Sequence, residues 1–306
     1  MKNRTFILPA ICFGEVLWDM LPDGPQPGGA PLNVAYHLNK HGVKASIFSK
    51  VGNDLFGQQL SSLIYGWGIG RDFLQVDATY PTSQVIAKMN GTEASYEIVF
   101  PVAWDFIQRI AGIGPLISDT TYFIYGSLAS RNVVTRNTLL ELLEHDCIKV
   151  FDINLRPPFI SRDLLGALLS SADIVKFNQA ELEMVQSVFG GSFSNEASQV
   201  GFIRERFNVS EIIVTKGEFG ASYYNHDKVY HAWGSEVNVK DTIGSGDAFL
   251  ATFISNHYLN KDPQSIIKDA VAMGAFIATK KGGCPEYQEK EYENFKNLLF
   301  KINNPN

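Results

Sequence analysis

The sequence is short of cysteine, of positive charge and of long apolar runs, and each shortage narrows what the chain can be. Its three cysteines, Cys12, Cys147 and Cys284, lie far apart and are odd in number. That argues against a disulfide framework or a clustered zinc site and reads as reduced thiols in a cytoplasm. Lys and Arg total 26 against 32 Asp and Glu, a formal net charge of -6. Neutralising a nucleic-acid backbone needs a basic surface, so no nucleic-acid partner is expected, although a local basic cleft for a small anion stays compatible. No run approaches the ~20 apolar residues that cross a bilayer, and no membrane association is expected. Lys2 and Arg4 before the apolar stretch 6–13 imitate a signal peptide, but Pro9 interrupts it and Glu15 and Asp19 follow at once. With no small-residue cleavage site, a buried first strand is the better reading.

Several motifs are missing as well. There is no Gly-x4-Gly-Lys-Ser/Thr phosphate loop and no protein-kinase motif set. Gly14 is followed by Glu15 and opens no dinucleotide-binding Gly-x-Gly-x-x-Gly. No Gly-x-Ser-x-Gly elbow suggests a hydrolase. The histidines, at 37, 41, 145, 226, 231 and 257, are scattered, and none is assigned a catalytic role.

What is present is a chain of 306 residues, 45% hydrophobic and 19% charged, long enough for one large α/β domain with a substantial core. Short apolar runs at 7–13, 45–50, 122–125, 149–152, 174–177 and 211–215 alternate with helical patterns at 33–41, 136–145, 179–189 and 247–258. Alternation of this kind makes a mostly parallel sheet with helices on both faces, a three-layer α/β/α sandwich. Two stretches, 15–22 and 83–99, instead alternate apolar with polar residues, the second turning back through Asn90-Gly91. They predict a small separate sheet covering the active-site mouth or a second subunit, because a two-stranded unit is marginal alone. No linker marks a boundary, so residues 1–306 are expected to form a single domain with lid strands inserted at about 15–32 and 83–105.

The most informative segment is Val239-Lys-Asp-Thr-Ile-Gly-Ser-Gly-Asp-Ala-Phe249, which passes through a turn of small residues into an amphipathic helix. Gly244, Ser245 and Gly246 let backbone N–H groups converge at a helix N-terminus, a ready anion hole. Asp247, in the first helical turn, is placed to take a proton from a hydroxyl attacking a phosphoryl group. A plain helix cap is the competing explanation of the same residues.

Asp241-Thr-Ile-Gly-Ser-Gly-Asp247 resembles the C-terminal motif of the ribokinase-like, or PfkB, carbohydrate kinases, with Ser245 where the family usually has Ala. Gly28-Gly29-Ala30-Pro31-Leu32-Asn33-Val34-Ala35, followed by Gly42 and Gly52, resembles the family's sugar-binding signature. Paired glycines allow close backbone approach to a polyhydroxylated ligand, and Asn33 offers both a donor and acceptors. Gly14-Glu-Val-Leu-Trp-Asp19 is most similar to fructokinases of the family, and Asp19 there could accept two sugar hydroxyls. The resemblance runs from Gly14 to Pro285.

The resemblance implies further site residues. Asp152-Ile-Asn154-Leu-Arg156 matches the family's Asp-Pro-Asn-Leu-Arg segment, with Ile153 for Pro, and implies Asp152, Asn154 and Arg156 near substrate. Asn178 and Glu181, in Asn-x-x-Glu, would reach Mg²⁺ through its water shell. Thr215, Lys216, Gly217 and Gly220, with Gly246, Ala275 and Thr279, would bind ATP. The carbonyls of Asp241 and Ile243, with Gly282, would form a monovalent cation site, for K⁺ in many members.

Taken together, the resemblance implies an ATP-dependent sugar kinase of the ribokinase-like fold. It implies a homodimer joined through the small sheets, and fructose, phosphorylated to fructose 6-phosphate, as substrate. The alternatives are 2-keto-3-deoxygluconate, for which Arg156 would meet the carboxylate, ribose, and a non-catalytic sugar or nucleotide sensor on the same fold. A sensor would usually have lost the catalytic carboxylate or a glycine of the anion hole, and both are present.

Overall fold

The structure is a computed structural model that describes residues 8–90, 93–226 and 228–303. The chain divides into two compact units: residues up to Val150 with Arg156–Ile160, and Phe151–Leu155 with the residues from Ser161 onward.

The first unit contains, in chain order, β1 (Ala10–Phe13), β2 (Leu17–Leu21), β3 (Gly24–Gly28), α1 (Ala30–Lys40), β4 (Ala45–Gly52), α2 (Leu55–Gly66) and β5 (Leu74–Asp77). It continues with β6 (Ser83–Asn90), β7 (Glu93–Ile98), α3 (Ile113–Ser118), β8 (Tyr122–Gly126), α4 (Val133–Leu142) and the start of β9 (Ile148–Asp152). β1 lies between β8 and β4, parallel to both, and β5 continues the sheet in the order β8-β1-β4-β5. Every residue of β1 and β4 is buried, as strands covered on both faces must be. Phe13 meets Phe48 edge-on at 5.3 Å and Phe123 at 5.9 Å, fixing the middle of this core.

A second sheet in this unit has the order β3-β2-β6-β7. Its strands fall within the lid segments expected at about 15–32 and 83–105; β3, Gly-Pro-Gln-Pro-Gly, lies in the first of them although its prolines hide the alternation that marks β2. Pro25 and Pro27 stand opposite Met20 and Trp18 on an edge strand, where a missing N–H costs no ladder bond further out. The expected turn at Asn90-Gly91 falls partly outside the described residues, since Gly91 and Thr92 are not among them. Asn90 itself pairs with Glu93 as the last strand residue. Asp54 caps α2, accepting the Gly57 N–H at 2.8 Å, and also takes the Thr82 N–H and hydroxyl at 2.7 Å each. Partial burial pushes its carboxyl upward, but these hydrogen bonds win and hold it below the ordinary aspartate range.

The second unit takes the end of β9, then α5 (Arg162–Ser170), β10 (Ile174–Asn178), α6 (Gln179–Val188), α7 (Glu196–Phe207), β11 (Glu211–Thr215), β12 (Ala221–Asn225) and β13 (Lys228–Ala232). α8 (Ser245–Tyr258), α9 (Pro263–Ala278) and α10 (Glu289–Asn303) complete it. Its strands run β13-β12-β11-β10-β9, with β10 and β11 parallel and β12 and β13 returning antiparallel. Tyr223 packs edge-on against Phe253 at 4.8 Å, and Phe276 gathers Tyr287, Tyr292 and Phe295 at 5.3–5.6 Å. α7 went unforeseen because only Val200, Ile203 and Phe207 of its residues are buried, too few for a clear helical period.

No helix among the described residues is long and apolar enough to cross a membrane. The three cysteines are unbridged, with Cys12 buried.

Candidate active site

The segment that dominates the sequence folds as its residue types require. Gly244, at φ 75°, is the N-cap of α8, and a Cβ there would lie 2.4 Å from Gly283 Cα. Glycine is therefore demanded twice, by the left-handed backbone and by the loop packed on it. The first ladder bond of α8 runs from the Ala248 N–H to the Gly244 carbonyl at 2.8 Å, so the amides at 245–247 stand before the ladder at the positive end of the dipole. Among the described residues no side chain caps this helix, and Asp247 supplies the acid of the first turn.

Beneath the turn stands a group that the motifs did not single out. Lys176, two residues from the end of β10, is 7% exposed, and its Nζ donates to both carboxylate oxygens of Asp152 at 2.8 and 2.9 Å. A Cβ added at Gly246 would lie 3.5 Å from that Nζ, so the ammonium adjoins the anion turn. Burial lowers the lysine pKa, but Asp152, then Asp247 and Glu181, more than reverse this and keep it above the ordinary value. Asp152, which the resemblance placed near substrate, thus spends both oxygens on Lys176. The sequence did offer one signal, a lysine inside an otherwise apolar buried strand.

Asn178 and Glu181 form a reciprocal cap on α6. The Glu181 N–H donates to Asn178 Oδ1 at 2.8 Å, and the Asn178 N–H donates to Glu181 Oε2 at 2.9 Å. Glu181 Oε1 also accepts the Leu155 N–H at 3.0 Å. Burial first, and Asp152 next among the raising causes, hold the Glu181 carboxyl above the usual range against the pull of these donors and Lys176. Asn154, at φ 37°, is one of the few non-glycine residues in the left-handed region, and Arg156 is exposed.

A cavity of about 280 Å³ adjoins the turn, its lining running from Ser245, Gly246 and Thr215 to apolar Val239, Phe249, Val271, Ala275 and Ala278. Gly217 and Gly220 line it too, and at Gly220, φ 96°, a Cβ would strike the Ala232 carbonyl at 2.0 Å. Two expected residues point elsewhere. Lys216 Nζ lies 2.6 Å from Ser222 Oγ and 2.9 Å from Glu196, and Thr279 Oγ1 folds back onto the Phe276 carbonyl at 2.7 Å. Gly234 and Ser235 line the cavity without having been foreseen.

Asp241 ties the approach to the turn: Oδ1 accepts the Ile243 N–H at 3.0 Å and Oδ2 the Gly282 N–H at 2.9 Å. The three residues expected at a cation site are therefore brought together. Among the described residues, no group of three or more His, Cys, Asp or Glu side chains is arranged to hold a metal directly.

In the first unit, Asp19 of β2 and Gly28 of β3 are brought together. A Cβ on Gly28 would lie 2.3 Å from Asp19 Oδ2, so the carboxylate occupies the space that glycine leaves. Gly29, φ 106°, is the N-cap of α1, and its carbonyl accepts the Asn33 N–H at 2.9 Å; Asn33 is 3% exposed.

An amide-lined turn on a helix N-terminus, a first-turn carboxylate and an adjoining apolar cavity are features that suit a nucleotide-dependent phosphotransferase of the α/β class. Comparison with known proteins makes this specific. The chain belongs to the pfkB family of carbohydrate kinases, whose sequence pattern matches residues 24–290. It is 28% identical over 317 residues to the fructokinase of Escherichia coli, covering 96% of this chain and 100% of that one. Among solved structures, the fructokinase from Xylella fastidiosa with bound ATP superposes with a TM-score of 0.83 at 23% identity, covering 96% of this chain and 99% of that one. The fructokinase from Vibrio cholerae O395 in its fructose, ADP and calcium ion form gives 0.80 at 23% identity over 94% and 99%. The fold is the expected ribokinase-like one, a mostly parallel sheet with helices and a smaller second sheet. The protein is an ATP-dependent sugar kinase.

Proposed function

We propose that the chain transfers the γ-phosphate of ATP to the terminal hydroxymethyl of fructose, giving fructose 6-phosphate. The observation that carries the chemistry is the Gly244–Asp247 turn, where a helix N-terminus with no side-chain cap among the described residues and a first-turn carboxylate lie beside a cavity. Fructose is favoured by the Gly-Glu-Val-Leu-Trp-Asp19 form and by relatives named as fructokinases.

In this reading Asp19, Gly28, Gly29 and Asn33 hold the sugar, with Asn154 and Arg156 near it. Thr215, Gly217, Gly220, Gly246 and Ala275 hold the nucleotide, whose base the apolar walls of the cavity suit. Asp247 takes the hydroxyl proton, and the amides of Gly244, Ser245 and Gly246 meet the negative charge of the phosphoryl oxygens. Mg²⁺, when bound, neutralises phosphate charge. Asn178 and Glu181 already accept backbone N–H groups, which suits contact through the metal's water shell rather than direct ligation. The carbonyls of Asp241 and Ile243, with Gly282, would hold K⁺. We place the protein in the cytoplasm as a homodimer joined through the four-stranded sheets, which light scattering on purified protein tests.

The activity is tested by coupled ADP release with ATP, Mg²⁺ and fructose, ribose, 2-keto-3-deoxygluconate and adenosine. Fructose should give the highest kcat/KM, and another sugar exceeding it ~10-fold, a difference of about 1.4 kcal/mol, would replace it. Silence across the panel in folded protein would favour a sensor.

A further inference from the structure

We propose that Lys176 is a catalytic residue whose ammonium contacts the phosphoryl group being transferred, and that Asp152 is the positioning residue that aims it. This rests on the kinase reading of the turn and goes beyond the backbone amides and Asp247.

Three observations carry it. An ammonium has three N–H donors, and among the described residues Lys176 spends two of them on Asp152, which leaves one over. That ammonium adjoins Gly246, because a Cβ there would lie 3.5 Å from Nζ. The same locality holds three carboxylates, Asp152, Asp247 and Glu181, each of which acts electrostatically on Lys176. Without a cation, a phosphoryl group approaching the turn would meet uncompensated negative charge.

In the transfer, the acceptor oxygen bonds to phosphorus while the bond from phosphorus to the leaving diphosphate breaks, its electron pair staying on that diphosphate. The acceptor's proton goes to Asp247. Lys176 keeps its protons and donates an N–H to an equatorial oxygen as charge spreads over it, a fixed donor in a site shielded from water. A lysine holding only a structural ion pair would make no distinction between nucleotides that have a third phosphate and those that lack it.

The test uses the full chain in three forms: wild type, Lys176→Met, and the charge-neutral double variant Lys176→Met with Asp152→Leu. The double variant removes Asp152 together with its ammonium partner and so keeps the question open if the single variant fails to fold. Calorimetry measures binding of ADP and of a non-hydrolysable ATP analogue, and the coupled assay measures kcat and KM. Both variants should lose ~10-fold or more affinity for the ATP analogue while ADP affinity stays within ~3-fold, and kcat should fall by ~10²-fold or more. Equal losses for both nucleotides, a folded double variant with near-normal kcat, or failure of both variants to fold would each overturn the proposal and leave the pair structural. If the wild type phosphorylates no sugar, the kinase reading fails by itself, and the two binding constants still decide the role of Lys176.

Discussion

The ammonium of Lys176 is held between the two carboxylate oxygens of Asp152 at 2.8 and 2.9 Å, with both side chains less than 10% exposed. Taking two charges from water is costly, and a pair this enclosed is stable only while both members are present. Asp152→Ala should therefore lower unfolding stability by about 3–5 kcal/mol, read from urea melts. Replacing both residues by apolar ones should restore most of the loss. A single variant as stable as the wild type would show that water reaches the pair.

Asp247→Ala should reduce kcat by ~10²-fold or more while the sugar's dissociation constant changes little, because the proposed general base would act in the transition state. The folded structure should survive, since Asp247 is partly exposed and Gly244 rather than Asp247 caps the helix. Unimpaired turnover by the variant would remove Asp247 from its role.

Gly28→Ala and Asp19→Ala should resemble one another. A methyl at position 28 would lie 2.3 Å from Asp19 Oδ2, so it must displace the carboxylate that the other substitution deletes. Both should raise the sugar KM far more than they alter kcat, the pattern of lost ground-state binding. A normal sugar KM in both variants would exclude Asp19 from sugar binding.

Lys216→Met distinguishes side chain from backbone at the proposed nucleotide cavity. The lysine reaches Glu196 and Ser222, and the pair with Glu196 is about one-fifth exposed on each side. Losing it should cost about 0.2–1 kcal/mol of stability and leave the ATP KM nearly unchanged. A large rise in that KM would mean that the side chain turns toward nucleotide on binding.

Asp54→Ala removes the cap of α2 and the clasp on Thr82, and should cost about 1–2 kcal/mol at neutral pH. The carboxyl of Asp54 ionises more easily in the fold than in the open chain, so its contribution is complete above the ordinary aspartate value of about 3.9. It is lost as pH falls through the lower folded value. Wild type and variant should thus converge in urea melts only in strong acid, and convergence already near neutrality would contradict the assignment.

The parts of this protein written plainly in the sequence were those that repeat a period or forbid a side chain. β11 was legible because Ile212, Ile213 and Val214 make a β-branched apolar run closed by polar Glu211 and Thr215. The turn at Gly244 was legible because a left-handed backbone pressed against Gly283 leaves no other choice. Lys176 was passed over because a charged residue inside an apolar strand declares a partner without naming it, and that partner, Asp152, lies 24 residues away. The direction of the Lys216 side chain was equally hidden, being set by Glu196 at the start of α7, 20 residues earlier in the chain.

The strand β9 has a consequence for anyone wishing to dissect this enzyme. Up to Val150 the chain belongs to one unit, Phe151–Leu155 belong to the other, and Arg156–Ile160 return to the first. No single cut yields two complete halves: a scissile site at 150/151 strands one short segment, and a site at 160/161 strands another. Fragment complementation or the grafting of one half onto a foreign scaffold would have to carry both excursions along, which makes this chain a poor donor of modular parts.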